Sequence, residues 1–362
     1  MYSGTTVSFF MGANTPLGFY SLFDGLYDAH DGWRAYVIKG GPGTGKSTLM
    51  KKIAAEADAR GLYCERVYCS SDPHSLDAVI LPGLKTAVAD GTPPHAIEPR
   101  YPGVCERIVD LGAYRDDGIL RENAAEIIAK TDLNSAEHKK CVGFLAAAKS
   151  VTDDANRFVC AALRLDKLKK FAGKLAQNSF GAVSDREGRE QRRFLSALTP
   201  EGGVIFGESF NALCEKHTVL EDEYGVAASL VLHILKDAAL ESGHDCIVCP
   251  CPTDPQRIEH LMVPSLSAGY FTSNIFHTYT GAPDVAVECA RFFDADVLKR
   301  HKNRVAFDRR AAQEMLDEAV GKLANAKKLH DELERYYIAA MDFDALNAAG
   351  EKLIEEIFSA RA

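Results

Sequence analysis

Apolar residues recur along the chain in two rhythms. Ala35-Tyr-Val-Ile-Lys39 is a short apolar run with β-branched members and predicts a strand. From Lys46 to Arg60, Leu49, Ile53, Ala54 and Ala57 stand at helical spacing and Gly61 follows as a stop, so this stretch predicts a helix. Glu65-Arg-Val-Tyr-Cys69 and Thr86-Ala-Val-Ala-Asp90 predict two more strands. Residues 104–172 and 286–361 read as helical regions. Within the second, Glu314–Tyr337 sets apolar residues three and four apart with charges between them. The pattern predicts antiparallel helix pairs packing on an α/β core or on each other; a mobile lid or partner-binding arm is the sharper reading.

The pattern occurs twice. Phe10-Met-Gly-Ala-Asn-Thr-Pro-Leu-Gly18 returns as Phe194-Leu-Ser-Ala-Leu-Thr-Pro-Glu-Gly202. Gly61, Cys64 and Cys69 return as Gly243, Cys246 and Cys251, Asp72-Pro73 as Asp254-Pro255, His95 as His277, and Ala148-Lys149 as Ala326-Lys327. The expected organisation is two copies of one α/β unit. The first is residues 1–180 with its helical segment at 104–172, and the second is 190–362 with its segment at 286–361. The polar, Gly- and Ser-containing stretch near 175–192 joins them. Two tandem parallel-sheet domains are expected, packed as an intrachain pseudo-dimer because homologous faces self-associate.

Composition narrows the function classes. The chain has 362 residues, 46% hydrophobic and 26% charged, which fits a soluble globular protein of about two domains. A net charge of −9 argues against bulk binding to nucleic acid or an anionic membrane. No apolar run approaches the length of a membrane span, and the first residues lack the basic start of a secretory signal. The 10 cysteines are scattered, as reduced thiols of a cytoplasmic protein would be.

One motif carries specific chemistry. Gly40-Gly-Pro-Gly-Thr-Gly-Lys-Ser47 is a G-x-x-x-x-G-K-S sequence between a predicted strand and a predicted helix. The glycines let the backbone approach a phosphate, successive N–H groups form an anion nest, and the helix dipole adds positive potential. Gly40, Gly41, Pro42, Gly43, Thr44, Gly45, Lys46, Ser47 and Thr48 are therefore the candidate ATP-binding residues. Lys46 is expected to reach the β- and γ-phosphates, Ser47 to ligate Mg²⁺, and Thr48 to contact the α-phosphate. Asp90, at the end of a small apolar run, is the candidate second Mg²⁺ ligand, with an ordinary strand-to-turn Asp-Gly as the alternative. Asp72 is a reserve catalytic carboxylate, although Asp72-Pro73 also reads as a helix N-cap followed by proline at the first helical position.

The second copy serves as an internal control. Its loop reads Asp222-Glu-Tyr-Gly-Val-Ala-Ala-Ser229, with Ala228 at the Lys46 position, Ala227 at that of Gly45 and Thr272 at that of Asp90. Glu221, Asp222 and Glu223 would repel a triphosphate, so this copy is expected to have lost nucleotide binding. Cys246-Ile-Val-Cys249-Pro-Cys251 falls on a strand with Cys249 and Cys251 on one face and Cys246 on the other, a poor zinc site. His95 and His277 read as packing or capping histidines, with a catalytic role the alternative for His95.

Residues Gly40–Thr48 resemble the Walker A motif of P-loop nucleoside triphosphate hydrolases. Together with Gly12-Ala-Asn-Thr-Pro16, Cys69-Ser-Ser-Asp-Pro73, Asp90-Gly-Thr-Pro-Pro-His95 and His330-Asp-Glu-Leu-Glu-Arg-Tyr-Tyr337, they give the chain a resemblance to a bacterial family of ATP-binding proteins built from two P-loop domains in tandem. The resemblance implies ATP and Mg²⁺ as cofactors and an ATPase or nucleotide-kinase activity, with no substrate to carry over. The leading expectation is a Mg²⁺-dependent ATPase with Lys46, Asp90 and Asp72 as catalytic candidates in the first copy only. Gly91 stands where many P-loop ATPases carry a water-activating Glu. A small-molecule or nucleotide kinase is the first alternative, with Arg100, Arg107, Arg115 and Arg121 as a phosphate clamp or as exposed arginines of a solvated helix. A non-catalytic ATP-sensing scaffold is the second, its other copy a platform for a protein partner. No N-K-x-D sequence for guanine recognition is present.

Overall fold

A computed structural model describes residues 4–93 and 97–359. The first half opens with strands β1 (Thr6–Phe10), β2 (Gly12–Thr15), β3 (Gly18–Ser21) and β4 (Arg34–Lys39), then helix α1 (Lys46–Ala59). It continues through β5 (Cys64–Cys69), β6 (Asp72–Leu81), β7 (Thr86–Asp90) and β8 (Glu106–Asp110) into helices α2 (Asp117–Glu122), α3 (Ala124–Ala161) and α4 (Leu165–Phe180). The second half repeats the plan with β9 (Glu190–Arg192), β10 (Ser196–Thr199), β11 (Gly202–Ile205), α5 (Gly207–Leu213), β12 (Lys216–Glu221) and α6 (Val226–Glu241). It ends with β13 (Cys246–Cys251), β14 (Asp254–Val263), β15 (Ala268–Ser273), β16 (Val285–Glu288), α7 (Ala295–Ala339) and α8 (Phe343–Ser359).

The two main sheets have one topology. The first runs β1-β5-β6-β7-β4-β8 and the second β9-β13-β14-β15-β12-β16. Both are mixed, which corrects the expectation of parallel sheets. In each, the central hairpin strand, β6 or β14, is antiparallel to both neighbours. The reason lies in the connections: Ser70-Ser71 is too short to cross over a sheet, and Pro82–Leu84 turns back through Lys85 in the left-handed region. The same turn recurs at Pro264–Leu266 and Ser267. Asp72-Pro73 therefore opens a strand, not a helix. Its carboxylate accepts from the His74 amide at 3.3 Å and the Ser75 hydroxyl at 2.7 Å, which makes it a turn residue.

Other boundaries also move. Residues 106–110 and 285–288 are edge strands where the sequence pattern predicts helical segments. The stretch 175–192 is not all linker: α4 continues to Phe180, and β9 adds to the second sheet. His95 lies outside the described residues.

The helical arms are exchanged. Helix α4 packs on α6 of the second core, where Leu168, Ala172, Ala176 and Phe180 join the apolar cluster of Val231, Leu232 and Leu235. Helix α8 packs on α1 of the first core, with Leu346, Leu353 and Ile357 against Leu49 and Ile53. Helices α3 and α7 run antiparallel between the cores, stitched by Lys130–Glu332 at 2.5 Å, Asn134 to the Ala326 carbonyl at 2.7 Å and Arg304–Asp154 at 2.6 Å.

The contacts between halves are reciprocal. Phe10 and its repeat partner Phe194 exchange backbone hydrogen bonds of 2.9 and 2.8 Å. Arg115 bridges Met341 while Leu163 bridges Phe293. Lys149 of the first arm lies 3.5 Å from Asp254 of the second core, and Lys327 of the second arm lies 3.7 Å from Asp72 of the first. This is the isologous pattern of a two-fold dimer written into one chain. At its centre the buried Arg193–Glu65 pair spans 2.9 Å.

Candidate functional site

Strand β4 is buried over Ala35–Ile38 and delivers the chain into the loop at Gly40. Gly43 has φ 67° and Gly45 φ 85°, a region that costs most side chains energy and glycine little. Gly45 caps α1, so the positive end of the helix dipole opens into the loop. A Cβ on Gly40 would come within 2.5 Å of the Thr44 hydroxyl, which itself donates to the Gly41 carbonyl at 2.8 Å. Loop and helix start are thus shaped by glycine at the sequence-predicted positions.

The candidate charged groups converge at the mouth of this loop. Lys46 donates to the carbonyls of Gly40 at 2.9 Å and Gly41 at 2.7 Å, and its Nζ lies 3.6 Å from Asp90 Oδ2. Asp90 arrives because β7 pairs in parallel with β4, Asp90 opposite Ile38. Its other oxygen accepts from the amide and hydroxyl of Thr92 at 2.8 and 2.6 Å. Ser47 Oγ accepts from the Leu76 amide at 2.9 Å. Thr48 is exposed in a small crevice between α1 and α8, beside Lys52 and Phe343. Asp72 makes its turn bond to Ser75 and lies 3.7 Å from Lys327 of the opposite arm.

The arm reaches the loop as well, which the sequence pattern does not foreshadow. A Cβ on Gly41 would meet the Tyr337 ring at 2.6 Å, and one on Gly43 would meet the Glu334 carbonyl at 2.8 Å. The last turns of α7 therefore rest on the glycines of the first core, and Phe343 and Leu346 of α8 approach Gly45. The proposed arginine clamp finds other partners: Arg100 pairs with Asp24 at 3.7 Å and Arg115 with Asp117 at 2.8 Å, and Arg107 pairs with Glu356.

The second loop shows what its substitutions do. Gly225, with φ 67°, takes the role of Gly43, but Ala227 stands where Gly45 needs a left-handed turn. Helix α6 accordingly starts at Val226, two residues earlier than α1 by the repeat. Asp222 is buried and accepts from the Ala228 amide at 2.8 Å and the Tyr224 amide at 3.1 Å. A protein carboxylate thus takes one amide of the first helical turn and one of the loop before it. Burial pushes the Asp222 carboxyl above the usual range despite these bonds. Glu223 is neutralised by Arg309. The Ser47 contact is kept: Ser229 Oγ accepts from the Ile258 amide at 3.2 Å. This recurrence gives the serine a structural task in both copies.

The cysteines of β13 are buried free thiols, with Cys246 in the cluster under α6 and Cys249 in the cluster between the cores. Among the described residues, no helix is long and apolar enough to cross a membrane. No protein-family model matches the chain, and neither a curated protein nor a solved structure matches it.

Proposed function

We propose that the first half binds ATP with Mg²⁺ through Gly40–Thr48 and that the second half does not. The observation that carries this reading is the Lys46–Asp90 approach of 3.6 Å at the mouth of a glycine-shaped turn capping α1. The donor set suits a triphosphate: main-chain amides at a helix N-terminus together with one ammonium. Lys46 would exchange the Gly40 and Gly41 carbonyls for phosphate oxygens. Asp90 Oδ2 and the Ser47 hydroxyl would hold the cation, which when bound neutralises charge on the phosphoryl oxygens. Asp222 fills the equivalent role of anion in the second loop, which supports a single nucleotide per chain.

For the fate of the bound nucleotide, hydrolysis is the first reading. An ATP sensor is the second, favoured by the contact of Tyr337 and Glu334 with the loop glycines. Phosphates settling in the loop would press on α7, whose other end lies on the second core. Calorimetric titration of the full chain with ATP and Mg²⁺ tests the binding. One nucleotide per chain is expected, with affinity lost in Lys46→Ala; absence of binding overturns the proposal. Steady-state phosphate release separates the two readings. Release that falls in Lys46→Ala supports the ATPase, whereas tight binding with no release supports the sensor.

A further inference from the structure

The nucleotide reading leaves a buried polar cluster in the second half without a task. Among the described residues, Glu259, His260 and His277 bring one potential ligand atom each to within 4.8 Å of one another. They are 8%, 0% and 9% exposed, so each is at least nine-tenths buried. Glu259 Oε2, His260 Nε2 and His277 Nδ1 have no hydrogen-bond partner, and neither does the neighbouring Thr272 hydroxyl. Glu259 Oε2 and His277 Nε2 stand 3.8 Å apart, too far for a hydrogen bond. Buried polar atoms without partners are uncommon in a folded protein, and three of these belong to the residues whose ligand atoms converge, which calls for a missing partner.

The fold builds this cluster with care. Cys249 pairs with His260 and Pro250 with Ile258, so Glu259 is the extra residue of a β-bulge. Bulges re-aim a side chain, and this one sends consecutive residues toward one point. His277 comes from the loop after β15, fixed by its amide on Asn274 Oδ1 at 3.0 Å. The first half has the same bulge but carries Ala78 at the position of His260. Glu259 and His277 also line a cavity of about 410 Å³ enclosed by α3, α7 and the Asp222 loop.

We propose that Glu259, His260 and His277 bind a divalent transition-metal ion of the Zn²⁺ class, its coordination completed from the cavity. Imidazole and carboxylate suit zinc, and three protein ligands with one open position form the pattern of a reactive, not a purely structural, zinc site. Ligation through His260 Nε2 puts the ring proton on Nδ1 and gives up the 3.4 Å contact from the Thr272 amide, which is at the long limit of a hydrogen bond. The nearby Cys251 Sγ lies 3.2 Å from the Thr253 hydroxyl and is not among the converging ligand atoms. This site is independent of ATP in the first half.

The test uses the full chain stripped of metal, titrated with zinc chloride by calorimetry and dialysed before elemental analysis. One zinc per chain is expected. Glu259→Gln and His277→Ala should each weaken binding by roughly 100-fold or more, by loss of a direct ligand. Cys251→Ser should retain it, with circular dichroism checking that each variant folds. No uptake, uptake unchanged in both ligand variants, or uptake lost in Cys251→Ser overturns the proposal. If the ligand variants do not fold, cobalt-loaded wild type decides. A tetrahedral cobalt spectrum without a thiolate charge-transfer band supports the site; a thiolate band, or no bound cobalt, refutes it.

Discussion

Asp222 occupies the position of Gly40 and bonds the second turn to itself. Its carboxylate takes two amide donors, yet burial is the larger influence and lifts its pKa above the ordinary 3.8. A raised pKa in the folded state means that folding favours the protonated form. The stability contributed by Asp222 is then complete below the unfolded value and is lost as pH rises through the folded one. Thermal unfolding of wild type and Asp222→Asn between about pH 3 and about pH 7 checks this. The melting temperature of wild type relative to the variant should fall as pH rises; a constant difference would remove the linkage. At the same scale, Lys46 and the loop glycines were legible from sequence because a turn and its helix are dictated locally, whereas the approach of Asp90 to Lys46 is made by the pairing of β7 with β4. The hydrogen bonds of Ser47 with Leu76 and of Asp72 with Ser75 were not legible, since those partners are set by the β6 hairpin.

Among elements, the contact between α7 and the first loop has a direct energetic reading. Gly43 and Gly61 have nearly the same left-handed φ, 67° and 65°. A Cβ at Gly61 would meet nothing within 4 Å, whereas one at Gly43 would strike the Glu334 carbonyl at 2.8 Å. Gly61→Ala should therefore cost only the backbone term, about 1–2 kcal/mol. Gly43→Ala should cost more, by whatever is needed to lift the end of α7. Denaturant titration of the two variants compares them, and equal losses would show that α7 does not bear on the loop. The β6 and β14 hairpins were the elements hardest to foresee. Asp-Pro carries a helix-start signature, and only the two-residue connection and the pairing register convert it to a strand with a bulge. That bulge sets Glu259 beside His260, and a sequence scan for ligands separated by ordinary spacings passes over it.

For the whole molecule, arm exchange makes each half an incomplete folding unit. Residues 1–180 contain α1 but not α8, so Leu49 and Ile53 lose the apolar cover of Leu346, Leu353 and Ile357. Residues 190–362 contain α6 but not α4, and lose Leu168, Ala172 and Phe180 in the same way. Each half expressed alone should be insoluble or associate, while the two expressed together should assemble into a soluble complex. Gel filtration of the separate and combined halves measures this, and two stable monomeric halves would contradict the exchange. The buried Arg193–Glu65 pair adds to the coupling, because removing one partner leaves a buried charge, a loss of about 3–5 kcal/mol.

The amino-acid sequence alone determined that the chain is a duplicated α/β protein, where the glycine turn lies, and which copy keeps a lysine at its helix start. These are consequences of local periodicity, turn chemistry and self-comparison, which need no partner to be read. Tertiary structure decided which core each arm covers, since amphipathic helices facing two near-identical sheets carry no local mark of their choice. It also decided that Asp222 is bonded inward, and that Glu259, His260 and His277 meet. Those outcomes depend on strand register and loop closure, where groups remote in the chain are brought together by the packing of everything between them.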